Sequence, residues 1–204
     1  MSAADLESGR DFGRYLDADG DGIPYRTYPG THPTRGAYFT RGTTKDRYAR
    51  YSEAGPDYVD NVQRLLKKFE TAKTLVPKPV LTAARRASDF GVIYFGSTSP
   101  AMAEALDALA AKGVHVDALR VRAFPFQDEV ADFAAAHSKV FVVEQNRDAQ
   151  LKSLLVNEAH INPAGLISVL HYDGTPITAR FIVGEISETI AAMEARPLKK
   201  NKAA

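Results

Sequence analysis

The sequence predicts an α/β protein in which an open, mostly parallel sheet follows a loop-rich extended segment and one amphipathic helix. Three observations lead to this fold class. Residues 88–196 alternate short apolar runs with segments of helical periodicity, which is typical of strand–helix units in a parallel sheet. Residues 57–76 carry apolar side chains at three- and four-residue spacing. Residues 1–56 contain too few large aliphatic side chains to form a core of their own.

The first 56 residues hold eight of the 14 glycines and six of the nine tyrosines, but few aliphatic side chains. Their aromatic rings need partners, because a cluster of exposed rings forms an adhesive patch. We therefore expect this segment to be extended, mobile in the isolated chain and ordered on a partner.

An acidic turn lies inside this segment. Asp17, Asp19 and Asp21 precede Gly22 with the spacing that begins an EF-hand calcium loop. Tyr28 takes the twelfth position, where such a loop needs a bidentate Glu. The pattern therefore predicts a turn, since Asp and Gly are turn-forming residues.

The remaining elements follow in order. The helix over 57–76 ends at the two prolines of "VPKPV", which predict a stiff linker. Beyond it, helices are predicted after Ser99-Pro100, around Val130, around Leu151 and along the stripe from Ile182 to Met193. Strands are predicted in 90–97, 114–124, 139–146 and 165–172. The predicted organisation is a segment with a helix (1–76), a linker (77–87), an α/β domain (88–196) and a flexible tail (197–204).

Composition restricts the class of protein. The net charge of +1 gives no reason to expect nucleic acid or a membrane surface as a partner. No apolar run approaches the ~20 residues of a membrane-spanning helix, so a cytoplasmic protein is predicted. The chain has no cysteine, and hence neither a disulfide nor a cysteine-ligated iron–sulfur cluster.

The residues alone predict no catalytic group and no metal site. The five histidines lack metal-ligand spacing, and no nucleophile motif occurs. "GSTSP" (96–100) stands where α/β sheets bind anions, but a helix cap at Ser99 explains it more simply. "EQNRDAQ" (144–150) follows a buried strand, at the sheet edge where such proteins place ligands and subunit contacts. Its polar residues are candidates for an interface: Glu144, Asn146, Arg147 and Gln150.

Four stretches carry a family resemblance. "DGDGIPYRTYPGTHPTRGAYFTRGTTKDRYARYSEAG" (19–55) resembles a segment of the α subunit of 2-oxoacid:ferredoxin oxidoreductases, closest to the 2-oxoglutarate type. "FGVIYFGST", "FPFQDEV" and "VFVVEQNRDAQL" resemble the transketolase C-terminal-like domain of that subunit, in the same order. The resemblance covers about the last third of an α subunit, and Ala149 departs from it where relatives often have Gly.

The resemblance implies a reaction performed by a complex. Residues 1–76 would be the end of a thiamine-pyrimidine domain, and a β subunit would be the partner. Thiamine diphosphate with Mg²⁺ would decarboxylate the 2-oxoacid, coenzyme A would accept the acyl group, and an iron–sulfur cluster would pass electrons to ferredoxin. The cofactors supply the difficult chemistry and the protein positions them. No cofactor is expected on this chain alone, which is predicted to be inactive in isolation.

Within this family, the basic loop is a candidate for binding the substrate or coenzyme A. An arginine side chain recognises carboxylates and phosphates by donating two hydrogen bonds from one plane. The candidates are Arg26, His32, Arg35, Arg41 and Thr43. Solvated arginines that pair with the neighbouring aspartates are the competing interpretation.

Two other functions stay open at the level of sequence. One is a non-enzymatic assembly module built on a transketolase C-like domain. The other is a fragment of a different thiamine enzyme, such as the E1 β chain of a dehydrogenase. The 19–55 stretch favours the ferredoxin-dependent oxidoreductase over the E1 chain.

Overall fold

The structure is a computed structural model that describes residues 1–195. The chain divides into two compact units, which meet between Leu75 and Val76.

The first unit is a long loop between two helices. Helix α1 (Ala3–Glu7) begins with a capping box, in which Ser2 and Asp5 each accept a backbone N–H bond from the other. Helix α2 (Gly55–Leu75) confirms the predicted amphipathic helix. Between them the described chain consists of turns and bends, apart from one isolated bridge that joins Lys45 to Tyr51.

Polar contacts, not an apolar core, hold the first unit together. Only two of its hydrophobic residues are buried, Leu6 and Ala49, among the residues that the structure describes. Helix α2 instead reaches the loop with polar side chains: Thr71 donates to the Asp21 carbonyl at 2.5 Å, and Arg64 donates to the Gly22 carbonyl at 3.1 Å. The unit is thus cross-linked by individual hydrogen bonds, each of which contributes about 1 kcal/mol.

The acidic segment forms a turn that lies against α2, in agreement with the prediction. The Asp17 carboxylate accepts the Gly22 N–H at 2.9 Å and lies 3.5 Å from the Lys67 ammonium. Gly22 has a φ of +80°, and a Cβ atom there would lie 2.4 Å from the backbone nitrogen of Lys68. Only glycine permits both that conformation and that close approach.

The second unit is an α/β domain with a five-stranded sheet. Its elements are β1 (Val80–Thr82), β2 (Phe90–Phe95), α3 (Ser99–Ala111), β3 (Asp117–Val121), α4 (Asp128–Ala135), β4 (Lys139–Glu144), α5 (Gln150–Glu158), β5 (Leu166–Leu170) and α6 (Ala179–Glu194). The strand order is β1-β3-β2-β4-β5, and only β1 is antiparallel to its neighbour. The predicted open, mostly parallel sheet is confirmed.

The sheet is the middle of three layers, because alternate residues of its strands point to opposite faces. On one face Val92 and Phe141 pack with buried residues of α3 and α6. On the other face Ile93 and Val142 pack with buried residues of α4 and α5. The central strands are therefore apolar on both faces, which explains their continuous apolar sequences.

Two details differ from the sequence prediction. Residues 80–82, inside the predicted linker, form the edge strand β1. Ser99 is not a helix cap: it is the first residue of α3, and its hydroxyl donates to the Gly96 carbonyl at 2.8 Å. A short 3-10 turn over Gly96–Thr98 precedes α3, so the backbone is already helical at Ser99 and Thr98 takes the N-cap position.

Candidate functional site

Residues 27–38 of the first unit fold around a cavity of about 410 Å³. The loop is closed by the buried side chain of Thr27, whose hydroxyl donates to the Gly36 carbonyl at 2.6 Å. Gly36 has a φ of +73° and lies against the side chain of Leu6, where a Cβ atom would come within 2.9 Å. Helix α1 therefore supports the loop through Leu6, which packs against Gly36 and is one of the two buried hydrophobic residues described in this unit.

His32 lines this cavity and organises its backbone. Its Nδ1 atom accepts the backbone N–H bonds of Thr34 and Arg35 at 3.1 and 3.0 Å. Because Nδ1 is an acceptor, the ring proton of the neutral imidazole resides on Nε2. Nε2 lies 3.9 Å from the Glu7 carboxylate, and the side chain is only 11% exposed. His32 thus fixes the loop, and its remaining N–H group faces an acid of α1.

Arg35 supplies the positive charge of the cavity. One guanidinium nitrogen, Nη1, donates to the Leu6 carbonyl at 2.7 Å, which anchors the side chain to α1. This bond uses one of five guanidinium N–H donors, and a planar guanidinium can bind a carboxylate or phosphate through two others. No carboxylate forms an ion pair with Arg35 within the described residues.

Two tyrosines form the walls of the same cavity. Tyr38 is held by the Phe12 ring, 6.1 Å away, and by the Arg14 guanidinium, 5.8 Å from its own ring. Tyr28 is 71% exposed. A held ring, an exposed ring and an anchored guanidinium together suit an anionic ligand that has a planar or apolar portion.

The other loop candidates lie outside this cavity. Arg26 is exposed, and its carbonyl accepts the N-terminal ammonium of Met1 at 2.8 Å. Arg41 lies over the Tyr51 ring at 5.8 Å, and Thr43 is exposed. The structure therefore brings His32 and Arg35 together and separates them from the other three candidates.

The polar residues after β4 form a network around a buried carboxylate. Glu144 is fully buried, and its side chain accepts hydrogen bonds from the backbone of Leu151 at 2.7 Å and of Lys152 at 3.1 Å. These two N–H groups belong to the first turn of α5, where backbone N–H groups have no acceptor within their own helix. Asn146 donates to the same carboxylate at 2.8 Å. Glu144 thus satisfies the N-terminus of α5 from inside the protein.

The neighbours of Glu144 complete that turn. The side-chain oxygen of Asn146, Oδ1, accepts the backbone N–H bonds of Asp148 and Gln150, and Arg147 pairs with Asp148 at the surface. Ala149 has a φ of +51°, a left-handed conformation that favours glycine. Of the four predicted interface residues, the structure assigns internal side-chain hydrogen bonds to Glu144 and Asn146 and leaves Arg147 and Gln150 exposed.

Two polar contacts of the second unit were not predicted. Gln145 donates to the hydroxyls of Ser97 and Thr98, at 3.0 and 3.3 Å, and so occupies the "GSTSP" turn that was considered for anions. His137 donates Nδ1–H to the Phe133 carbonyl at 2.7 Å and faces the Asp117 carboxylate with Nε2 at 2.9 Å. Apart from the His137–Phe133 contact within one helical turn, these partners are 20 or more positions apart, and no local pattern in the sequence identifies such pairs.

The described residues contain no group of three or more potential metal ligands among histidines and acids, and none of their helices is long and apolar enough to cross a bilayer. Both units carry a surface cavity. The second unit has one of about 550 Å³, lined by residues of α4, β4 and the segment 159–166, and the cavity of the first unit is distinguished by the anchored Arg35.

Comparisons with known proteins agree with the resemblance of the sequence. No family model matches the chain. The chain is similar to subunit alpha of 2-oxoacid:ferredoxin oxidoreductase 2 of Aeropyrum pernix, with 30% identity over 135 residues. That match covers 64% of this chain and 21% of the relative, so the chain spans about a fifth of the length of this curated protein.

One solved structure shares the fold over most of the chain. The 2-oxoglutarate:ferredoxin oxidoreductase of Magnetococcus marinus, solved with 2-oxoglutarate, coenzyme A and succinyl-CoA bound, matches with a TM-score of 0.76 at 23% identity. The match covers 89% of this chain and 31% of that one. A split-gene transketolase, solved as an inactive β4 tetramer, matches with a TM-score of 0.43 at 20% identity, over 55% of this chain and 41% of that one. The predicted relationship is confirmed, and the chain is homologous to part of the α subunit of 2-oxoacid:ferredoxin oxidoreductase.

Proposed function

We propose that this chain acts as part of the α subunit of a cytoplasmic 2-oxoacid:ferredoxin oxidoreductase, in complex with a β subunit. The complex would decarboxylate a 2-oxoacid oxidatively, transfer the acyl group to coenzyme A and pass the electrons to ferredoxin. The observation that carries the proposal is the 30% identity to an α subunit over 135 residues. The first unit would be the end of a thiamine-pyrimidine domain, and the second a transketolase C-terminal-like domain.

We propose 2-oxoglutarate as the substrate. The support is the 19–55 stretch, which is closest to the 2-oxoglutarate type, together with the fold shared with the Magnetococcus marinus enzyme. A dicarboxylic substrate and the phosphates of coenzyme A are both anions. A guanidinium binds such groups through two parallel hydrogen bonds.

The role proposed for the cavity at residues 27–38 is anion recognition. Arg35 would contact the carboxylate or phosphate with the N–H donors that Leu6 leaves free. His32 would keep the loop in shape through its two backbone bonds, and Tyr28 would cover an apolar or planar part of the ligand. Arg26, Arg41 and Thr43 stand outside the cavity and would contact the rest of the ligand or the partner.

The cofactors of such a complex would lie largely outside this chain. Thiamine diphosphate, Mg²⁺ and an iron–sulfur cluster are proposed for the whole complex. This chain has no cysteine, and its described residues gather no three metal ligands, so they do not fit the cluster or a protein-held metal. No step of the reaction is therefore assigned to such a centre here.

Reconstitution tests the proposal. The purified chain should not reduce a viologen dye when given 2-oxoglutarate, thiamine diphosphate and coenzyme A, because the proposed cofactor sites need the rest of the complex. The whole complex, containing this chain, should reduce the dye with release of CO₂. Within the complex, Arg35→Ala should raise the apparent KM for 2-oxoglutarate or coenzyme A about tenfold or more, since a charge-assisted hydrogen bond contributes ~1.5–3 kcal/mol.

The matched control is Arg85→Ala. That arginine pairs with Asp107 on the surface of the second unit. Its removal should leave KM unchanged, because exposed pairs of this kind contribute little. Dye reduction by the chain alone would contradict the proposed dependence on a partner. A stable complex without any oxidoreductase activity would favour the alternative of a non-enzymatic assembly module.

A further inference from the structure

One part of the first unit has an aromatic side chain that none of the described residues covers. Phe39 is 79% exposed, the highest value among the exposed large hydrophobic residues. Its neighbour Tyr38 packs on Phe12 and lines the cavity at residues 27–38, whereas Phe39 is not among the residues that line that cavity. A phenylalanine in water keeps a large apolar surface hydrated, which is unfavourable unless a partner removes it.

Arg41 lies two positions after Phe39, and its contact with the Tyr51 ring holds both side chains in place. The Arg41 guanidinium lies 5.8 Å from the Tyr51 ring centre, as in a cation–π pair. Gly42 has a φ of +74°, and a Cβ atom on it would lie 2.6 Å from the Tyr51 ring. The glycine therefore lets the ring rest against the backbone beside Arg41, and the bridge between Lys45 and Tyr51 closes this turn.

The loop that leads to these residues carries charge of one sign, and Glu53, beyond Tyr51, accepts the Tyr51 hydroxyl. Residues 22–45 contain Arg26, Arg35, Arg41 and Lys45 but no aspartate or glutamate. No carboxylate forms an ion pair with Arg41 within residues 1–195. The Arg41 guanidinium stacks on a ring but has no carboxylate partner among the described residues, so a carboxylate of an acidic partner could form an ion pair with it.

We propose that Phe39, Arg41 and Tyr51, here called the anchor surface, form the centre of a protein–protein interface with an acidic partner. The partner offers an apolar pocket for the Phe39 ring and a carboxylate for Arg41. Resting on the proposed function, we identify it with the β subunit. Aromatic rings and arginines dominate the energetic centres of interfaces. A small ligand is the less suitable occupant, because small-molecule sites are concave, whereas Phe39 and Tyr51 are mostly exposed and lie outside the cavity at residues 27–38.

Two side chains of the anchor surface, Arg41 and Tyr51, are already held in place before a partner binds. A side chain that is already held when free loses less conformational entropy on binding. The stacking on Tyr51 holds Arg41, and the hydroxyl of Tyr51 donates to the carboxylate of Glu53. The anchor surface and the cavity at residues 27–38 thus divide the basic loop between a protein partner and a small anionic ligand.

The experiment is a binding titration of the full chain against the purified β subunit from the same organism, by biolayer interferometry. Phe39→Ala should weaken binding at least about 30-fold, which corresponds to ~2 kcal/mol. Arg41→Glu should weaken it more, because it adds repulsion, and Arg41→Lys should weaken it less, because the charge stays while the planar group is lost. Tyr172→Ala and Arg86→Glu, which change an exposed ring and an exposed charge of the second unit, should bind like the wild type.

The outcomes separate the two proposals. Wild-type chain that binds the β subunit, with Phe39→Ala and Arg41→Glu equally tight, would overturn the anchor surface and leave the proposed function standing. Wild-type chain that fails to bind the β subunit would overturn both. If it instead bound phosphatidylserine-containing vesicles in a Phe39-dependent manner, a lipid surface would replace the protein partner.

Discussion

Replacing Glu144 by glutamine tests how the second unit holds its most buried charge. The two side chains have nearly the same shape, but the amide has one acceptor oxygen and one donor nitrogen. In the wild type, one carboxylate oxygen accepts from Leu151 and Asn146, and the other accepts from Lys152. Whichever way the glutamine is placed, its NH₂ group faces at least one N–H donor, so at least one bond is lost and the others lose their charge.

The expected cost follows from these contacts. A hydrogen bond to a charged group contributes ~1.5–3 kcal/mol, and a buried N–H left without a partner costs ~1–3 kcal/mol. We therefore expect Glu144→Gln to lower the free energy of unfolding by about 2–4 kcal/mol. With a urea dependence of about 2 kcal/mol per molar, the midpoint of the transition should fall by about 1–2 M.

The assay combines urea unfolding, followed by far-ultraviolet circular dichroism, with hydrogen exchange of the peptide spanning residues 139–158. Exchange in that peptide locates the loss in β4 and α5. Glu158→Gln is the matched control, because Glu158 ends the same helix and is exposed. Its effect should stay within about 0.5 kcal/mol. An unchanged midpoint and unchanged exchange for Glu144→Gln would refute the assignment of this carboxylate as the support of α5.

Three further predictions concern other positions. Burial raises the pKa of Asp117, but hydrogen bonds from the Ala84 N–H and His137 outweigh it, so the net pKa lies below its ordinary 3.8. Asp117 therefore stabilises the fold above its unfolded pKa and loses that contribution as pH falls through the lower folded value. Asp117→Asn should cost ~1–3 kcal/mol at pH 7, and its difference from wild type in thermal unfolding should shrink below about pH 4. Gly22→Ala should accelerate tryptic cleavage of the 26–45 loop more than Gly30→Ala does. Both glycines have positive φ, but only Gly22 lies against α2. Equal acceleration would exclude the close contact as the cause. Ala149→Gly should raise the free energy of unfolding by about 1 kcal/mol, since it relieves a φ of +51°. Ala159→Gly, at a φ of −102°, should not raise it.

The sequence could predict the second unit because its signals are local. Each central strand is a run of apolar residues, and each helix repeats its buried positions every three or four residues, as in Ile182, Ile186 and Ile190. The edge strand β1 has no such signal, because its three residues are exposed and follow a proline. What identifies it is the pairing with β3, about 40 positions later.

The candidate site was predictable in part. The family resemblance pointed to the basic loop, and the structure brings His32 and Arg35 into one cavity there. The separation of Arg41 from this cavity could not be predicted, because it depends on a left-handed Gly42 and on the Tyr51 ring. The role of Glu144 was also missed, since a strand-end acid in a polar loop has the same sequence whether it faces solvent or a helix N-terminus.

The two units differ in how many of their hydrophobic side chains are exposed, and this difference connects the stability of the chain to its proposed role. Within the described residues, eleven of the seventeen exposed large hydrophobic side chains belong to residues 1–75, while all but two of the buried hydrophobic residues belong to the second unit. Unfolding measurements should therefore follow mainly the second unit, whose burial supplies most of the hydrophobic stabilisation. Binding measurements should follow the first unit, because covering its exposed rings with a partner stabilises the complex.

A substitution such as Phe39→Ala should thus change affinity without changing the unfolding midpoint, and Glu144→Gln should do the reverse. If Phe39→Ala instead lowered the midpoint, its ring would have a partner within this chain, and the case for an interface at the anchor surface would be lost.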